Sequence, residues 1–263
     1  MDSLWKDFRF AARVLWKSPG FSAIALLALV LGIGANTAIF SVVNAVLLRP
    51  MPFKDPTRLV MVWETSPRGS RNNVANPQNF TDWQKRNSSF EKMAAYVPFQ
   101  MTVSLTGDGA PEEVPGNYIT REFFPVLGVR PVLGRNFLPE QDTTNAPDVA
   151  LMSDGLWRRR YGADPNIVGK KLVVRGKPTT VVGVLPANFR FTEVKADLWL
   201  LTTLNGQAPR QGRYLAGIAR LKPGVSIAQA QADMAGRTQK ILAADDSLAE
   251  RVINLSTDLA ATC

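Results

Sequence analysis

The sequence predicts an α+β protein, with one N-terminal transmembrane helix followed by a mixed α/β domain. Three observations carry this. Ser18 to Leu48 contains no charged residue. From Leu59 onward, short apolar runs alternate with Gly- and Pro-containing turns. Capped, helix-period segments are interspersed among those runs. The composition (46% hydrophobic, 20% charged over 263 residues) excludes a disordered, collagen-like or coiled-coil chain. The chain has no His, and its one Cys is Cys263. Ser-His-Asp and Cys-His catalysis, His-ligated metals, Cys-based zinc sites and a disulfide framework are therefore excluded.

The first element is the apolar run. A helix rises 1.5 Å per residue, so about 20 residues cross the hydrocarbon core. A span over 21–48 crosses with length to spare. A cleavable leader ending near Val43-Asn44-Ala45 is disfavoured, because its apolar core would normally be about 7–15 residues. Lys6, Arg9, Arg13 and Lys17 precede the span, and Arg49, Lys54 and Arg58 follow it. The bias is small and favours a cytoplasmic N-terminus.

Residues 1–20 read as a cytoplasmic, amphipathic interfacial helix. Leu4, Trp5, Phe8, Ala11, Ala12, Leu15 and Trp16 fall on one side, and Lys6, Arg9, Arg13 and Lys17 fall opposite. That pattern suits an anionic lipid surface, with Trp5, Lys6, Arg9, Arg13, Trp16 and Lys17 at the membrane interface. Ser18-Pro19-Gly20 is expected to break this helix. Within the span, Ala25, Ala28, Gly32 and Asn36 follow small-xxx-small spacing, which lets helix backbones approach closely in lipid. Asn36, Thr37, Ser41 and Asn44 add polar groups that prefer a partner to lipid. The span is thus expected to pack against further transmembrane helices.

Residues 49–58 read as a Pro-rich linker. Leu59–Trp63 reads as a buried strand. Asn76 caps a helix with Pro77 in its first turn, reaching about Arg86. Ser88/Ser89 are expected to start a second helix through Ala95. Met101–Leu105 alternates like a strand and ends at Gly107-Asp108-Gly109. Glu113–Ile119 is a strand, and Thr120 is expected to cap a short helix. Val149–Met152 is a strand, and Ser153 caps a helix to Tyr161. Lys171–Val174 and Thr179–Leu185 flank Arg175-Gly176-Lys177-Pro178 as a β-hairpin. Asp197–Leu201 and Tyr214–Leu221 are strands, and Lys222-Pro223-Gly224 is a turn. Ser226 caps a helix to about Ala244, with Ile227, Ala230, Met234 and Ile241 on its apolar side. Arg251–Ser256 is a last strand. About 200 residues suffice to bury such a core without disulfides.

Catalytic patterns fail on spacing. Gly162 to Gly169-Lys170 has six intervening residues where a P-loop needs four, and Lys171 replaces its Ser/Thr. Glu112-Glu113, Asp245-Asp246, and Glu140 with Asp142 sit in turn-like stretches and read as solvated surface. The net charge of +9 is spread thinly, and Arg158-Arg159-Arg160 is the only polybasic run. No nucleic-acid face is indicated. Neither catalytic, cofactor nor metal residues are expected.

Several segments, taken in order, resemble one family. They are Lys17-Ser18-Pro19-Gly20-Phe21; Leu31-Gly32-Ile33-Gly34-Ala35-Asn36-Thr37-Ala38-Ile39-Phe40-Ser41; Tyr118 with Phe123-Phe124-Pro125-Val126-Leu127-Gly128-Val129; Gly134-Arg135-Asn136-Phe137; Asp164-Pro165-Asn166-Ile167-Val168-Gly169-Lys170; Val181-Val182-Gly183-Val184-Leu185-Pro186; and Arg220-Leu221-Lys222-Pro223-Gly224-Val225-Ser226. Over residues 4–256 the chain resembles the MacB-like ABC transporter permeases, of the type abundant in acidobacteria.

The resemblance implies residence in a bacterial inner membrane and a two-lobed extracytoplasmic core domain over 59–256. One lobe would comprise 59–114 and 195–256, and the inserted lobe 115–190. It also implies a cytoplasmic ABC ATPase subunit as partner, together with the further transmembrane helices of the permease. Tripartite members add a periplasmic adaptor. Such permeases transmit ATP-driven motion, and ATP is hydrolysed on a separate subunit or domain. The family continues into more spans, so a chain whose tail 257–263 ends at Cys263 is expected to be a fragment or a truncated gene product. The alternative reading is a single-pass membrane-anchored extracytoplasmic binding or sensor domain without an ATPase.

Overall fold

A computed structural model describes residues 16–17, 19–46, 53–65, 74–107, 109–191, 194–204, 212–242 and 252–256. Residues 1–50 and 51–263 form separate compact units. The first unit contains helix α1 (Pro19–Val46). It begins at Pro19 rather than after Gly20, because proline at the first helical position gives up an N–H that has no partner there anyway. Trp16 and Lys17 are also helical.

The second unit runs β1 (Leu59–Thr65), α2 (Pro77–Arg86), β2 (Phe90–Tyr96), β3 (Met101–Thr106), β4 (Glu112–Ile119), α3 (Phe123–Leu127) and β5 (Leu133–Gly134). It continues through β6 (Asp148–Met152), α4 (Asp154–Tyr161), β7 (Lys171–Val174), β8 (Lys177–Val184) and β9 (Leu198–Leu201). It closes with β10 (Ala216–Leu221), α5 (Ile227–Leu242) and β11 (Val252–Ser256). Among the described residues, the strands form one sheet in the order β11-β1-β10-β2-β4-β3-β7-β8-β6-β9, with β5 on β8.

Strand β9 also pairs in parallel with β4, matching Asn117 to Trp199 and Ile119 to Leu201. The run β4-β3-β7-β8-β6-β9 therefore returns to β4 and closes a six-stranded barrel. Every barrel strand contributes to one buried cluster that includes Val103, Val114, Ala150, Leu172, Val181 and Leu198. Residues alternating with these, Leu151, Val182 and Trp199, join a different cluster. A barrel this narrow is filled by its own side chains. Leu156 of α4 and Ile167 belong to the interior cluster too.

The open part of the sheet is covered on both faces. Val60, Val62, Phe90 and Ala219 pack with Phe80 and Trp83 of α2 and with Ala230 and Met234 of α5. Leu59, Met61, Tyr96 and Ile218 face the other way and pack with Phe123, Phe124, Val126 and Leu127 of α3. Antiparallel register brings Met61 opposite Ser256, so the chain enters β1 and leaves β11 at the same end of the sheet.

Several expectations need correction. Residues 90–96 are a strand, not a helix. Glu, Lys, Met and Ala favour a helix, but pairing with β10 from Tyr96↔Ala216 to Phe90↔Leu221 overrides that weak preference. Ser88 and Ser89 cap nothing there, because both hydroxyls donate to Asp233 of α5, each at 2.9 Å. Thr120 does not cap α3 either. Its Oγ1 accepts from the Ala95 N–H at 2.8 Å, tying β2 to the end of β4. The hairpin loop is only Arg175-Gly176, with φ of +51° and +77°, and Lys177-Pro178 belong to β8. From Phe53 the supposed linker packs into the domain, with Phe53 only 8% exposed. Strand β10 starts at Ala216, while Leu215 makes an isolated bridge to Ala75.

Strand pairing also cuts across the expected lobe divisions. Strand β3 pairs with β7 and β9 pairs with β6, although 101–114 and 195–256 had been grouped away from 115–190. Asp245-Asp246 and the tail 257–263 lie outside the described residues.

Candidate functional site

Two features of the chain stand out as functional. The first is α1. It is long and apolar enough to cross a membrane, and Phe21, Ile24, Leu27, Leu31 and Phe40 are all exposed on it. At 100° per residue, Ala25, Ala28, Gly32 and Asn36 lie within about 80° of one another. Ala28, Gly32 and Asn36 are exposed, and the Ala25 side chain lies outside the described residues. Trp16 is 91% exposed and Lys17 is exposed as well. Trp5, Lys6, Arg9 and Arg13 lie outside the described residues.

The second feature is a clasp at the base of the core domain, where residues 53–58 meet α3 and β10. Helix α3 ends at Gly128, whose φ of +74° is the left-handed conformation glycine adopts readily. A short helix leaves its last carbonyls without intrahelical partners. Here other segments supply them. The Lys54 N–H donates to Leu127 O at 3.1 Å. Arg220 donates to Val126 O from Nε at 3.0 Å and from Nη2 at 2.7 Å. Arg220 Nη1 also donates to Asp55 O at 3.2 Å. A Cβ on Gly128 would sit 2.5 Å from Lys54 Cβ, so the linker and the helix end are in close contact.

Arg220 is 3% exposed. It lies on the same face of β10 as Ala216 and Ile218, which direct it at α3. Burial, and then the nearby Arg58 charge, lower its pKa from the usual arginine value. It is held by carbonyls rather than by a carboxylate. Arg58 completes the clasp, donating to Leu221 O from Nε at 2.9 Å and to Glu91 at 2.5 Å. Asp55 lies 3.5 Å from the Arg58 guanidinium.

From α3 an aromatic cluster reaches the barrel wall. Phe123 stacks on Trp199 of β9 at 5.5 Å, and Phe191 meets both Tyr96 and Phe123 edge-on at 4.9 and 5.0 Å. Edge-on and offset pairs of this kind add to the burial they bring. Residues 53–58, α3 and the barrel are thus one packed series.

On the far side of the barrel, Glu112 takes Arg160 at 2.8 Å and Arg159 at 2.7 Å. This corrects the reading of Glu112 as turn surface, since it is the first residue of β4. The Arg160 hydrogen bond, helped by the charges of Arg159 and Arg160, lowers the Glu112 pKa against the opposing desolvation. Burial pulls Arg160 down, but its bond to Glu112 and its neighbour Tyr161 outweigh that and raise it.

Among the described residues, no three His, Cys, Asp or Glu side chains come together to hold a metal. Nothing at the clasp is a nucleophile with an adjacent base. The clasp ties residues 53–58, α3 and β10 together through hydrogen bonds.

A sequence model described as the MacB-like periplasmic core domain matches residues 22–237. The chain belongs to this family. No curated protein matches it. Among solved structures, the MacB-like domain resembles a domain of a permease protein from Porphyromonas gingivalis, at 17% identity and TM-score 0.60, covering 78% of this chain and 92% of that one. It also resembles the periplasmic region of MacB from Actinobacillus actinomycetemcomitans, at 15% identity and TM-score 0.55, covering 77% and 90%. A third is the extracellular domain of the noncanonic ABC-type transporter YknZ from Gram-positive bacteria, at 11% identity and TM-score 0.52, covering 75% and 99%. At these identities the likeness is one of fold. The MacB-like assignment makes the chain a periplasmic-domain component of the ABC-type permease family, with one apolar N-terminal helix.

Sequence reasoning missed the clasp. Arg58 was counted only as a flanking charge, and Arg220 only as part of a motif. A signal was present: Arg220 interrupts an otherwise apolar run from Leu215 to Leu221. A charge in the middle of a buried strand needs a partner.

Proposed function

We propose that this chain is the N-terminal portion of an ABC-type efflux or mechanotransmission permease, in which a cytoplasmic ATPase drives motion of an extracytoplasmic domain. The observation that carries this reading is the clasp. The segment 53–58 does not lie loose on the domain. Its backbone and Arg58 are bonded to α3 and β10, and α3 is packed on the barrel wall. Movement of residues 53–58 is therefore passed to the barrel without an intervening flexible joint.

In this reading α1 spans the bacterial inner membrane with its N-terminus cytoplasmic. The Ala25, Ala28, Gly32 and Asn36 stripe packs against further transmembrane helices of the permease. Trp5, Lys6, Arg9, Arg13, Trp16 and Lys17 lie at the cytoplasmic lipid surface. ATP is hydrolysed by a separate subunit or domain, whose differential contact with two states of the helices supplies the driving free energy. A periplasmic adaptor is a further partner.

The test is co-purification of the tagged full chain from its own host in mild detergent, with labelling of Cys263 by a membrane-impermeant maleimide in intact cells. Recovery of an ABC ATPase, with Cys263 labelled before lysis, is the expected result. A chain that is labelled but recovers no ATPase would make it an anchored sensor. Labelling only after lysis in a chain whose Cys263 reacts fully would overturn the topology.

A further inference from the structure

We infer that the open mouth of the six-stranded barrel is a binding site for the oxyanion group of a small molecule, a phosphate or a carboxylate. The mouth is formed where β4, β7 and β9 end and β6 and β8 begin. It encloses a cleft of about 260 Å³ lined by Tyr118, Asp148, Arg175, Lys177 and Thr179. The barrel interior below is filled, so the cleft holds a head group and not a long apolar tail. Its volume falls below the roughly 300–1,000 Å³ of pockets that enclose drug-sized ligands. Mouths of β-barrels are recurrent ligand positions.

Two cations, Arg175 and Lys177, and one carboxylate, Asp148, line the cleft. Among the described residues, neither Arg175 nor Lys177 comes within 4 Å of a carboxylate, so both charges are available to a ligand. Arg175 is held in place from the barrel interior. Its Nη1 donates to Tyr118 Oη at 2.8 Å, and the guanidinium carbon lies 6.0 Å from the Tyr118 ring centroid. Arg175 has further guanidinium N–H groups beyond that bond, in a planar fork that matches an oxyanion, and it lines the cleft.

The backbone adds an independent observation. Arg175 occupies the first position of a two-residue turn at φ +51°, followed by Gly176 at +77°. Such turns strongly favour Asn-Gly or Gly-Gly. An arginine here is sterically disfavoured, and the side chain it presents is the one that lines the cleft. Asp148, paired with Thr179 on the strand next to Lys177, accepts a hydroxyl donor from the same ligand and selects against a bare polyanion. This inference is independent of the transport reading.

The experiment is calorimetric titration of the full chain in detergent with glycerol 3-phosphate and with benzoate, and with glycerol and sodium chloride as controls at matched ionic strength. Saturable binding of at least one anion, absent from the controls, is expected. Phosphate alone assigns a phosphoester ligand, and benzoate alone a carboxylate. R175N removes the guanidinium and suits the turn better, so it should weaken binding at least tenfold while Tm holds or rises. K177A lies outside the two turn positions and should weaken it severalfold. No saturable binding of either anion, or equal affinity in wild type and R175N, would overturn the proposal.

Discussion

Arg220 and Val126 are 94 residues apart, and two N–H groups of the buried guanidinium converge on the one carbonyl, at 3.0 and 2.7 Å. A strand side chain thus finishes the end of a helix that the helix itself leaves open. Both sides depend on the pairing. Without it, a nearly buried charge keeps only the Asp55 carbonyl as acceptor and a helix-terminal carbonyl loses both donors.

Replacing Arg220 by Met keeps an unbranched apolar stem and removes the donors. Hydrogen bonds to charged groups contribute about 1.5–3 kcal/mol each. R220M should therefore lose about 3 kcal/mol in urea unfolding of the full chain in detergent. Under the proposed function it should also reduce ATPase-driven coupling more than it reduces membrane insertion. An R220M chain as stable as wild type would show that the clasp does not hold α3.

Gly128 and Gly162 both terminate helices with positive φ, at +74° and +58°. They differ in what surrounds them. A methyl group on Gly128 meets Lys54, whereas one on Gly162 meets nothing within 4 Å. G162A should cost about 1 kcal/mol, from backbone strain alone. G128A should cost at least about 3 kcal/mol, because strain and displacement of the linker add. Paired urea midpoints of the two variants check the difference.

Phe123 touches Tyr96, Phe124, Phe191 and Trp199 and is fully buried. Truncating a core Phe to Ala costs about 3–5 kcal/mol. F123A should show that loss by thermal unfolding, together with a changed Trp fluorescence spectrum as Trp199 loses its stacked neighbour.

Glu112 has a lowered pKa in the folded state. A lowered carboxylate pKa stabilises the fold at pH above its unfolded value, and that contribution is lost as pH falls through the folded one. Thermal stability should therefore drop on acidification below the ordinary glutamate range, and E112Q should flatten that acid limb. An unchanged limb in E112Q would assign it to other carboxylates.

Under the proposed packing of α1, G32L should reduce co-purification of partner transmembrane helices severalfold. I33L lies off the stripe and should not. Both variants should still insert, since the span stays apolar.

What the sequence revealed about the fold was what neighbouring residues decide among themselves. Asn76 caps α2 and accepts from the Gln78 N–H at 2.8 Å, and Ser153 caps α4 and accepts from the Leu156 N–H at 3.0 Å. Both were legible because a cap and its helix lie within three residues. The β7–β8 hairpin was legible from Gly176 and the flanking β-branched residues. Strand β2 was not, since its residues are good helix formers whose fate is set by β10, more than 120 residues later. Thr120 read as a cap because nothing local reveals Ala95 beside it. The closure of β9 on β4 joins segments about 80 residues apart in parallel, and the periodicity of neither strand reveals its partner. The clasp failed to show for the same reason: its donors and acceptors come from three distant stretches.

The side-by-side placement of the start of β1 and the end of β11 carries a mechanical consequence. Two antiparallel strands pulled from the same end part like a zipper, with one pair of bonds bearing the whole load at a time. A tug between residues 53–58 and the end of β11 would load the Met61–Ser256 margin first among the β1–β11 pairs. Lys54, Arg58 and Arg220 lie ahead of that seam and divert the tug sideways into α3. There it is borne by several bonds and a packed aromatic face at once. The clasp is then a strain relief, like the collar where a cable enters its housing.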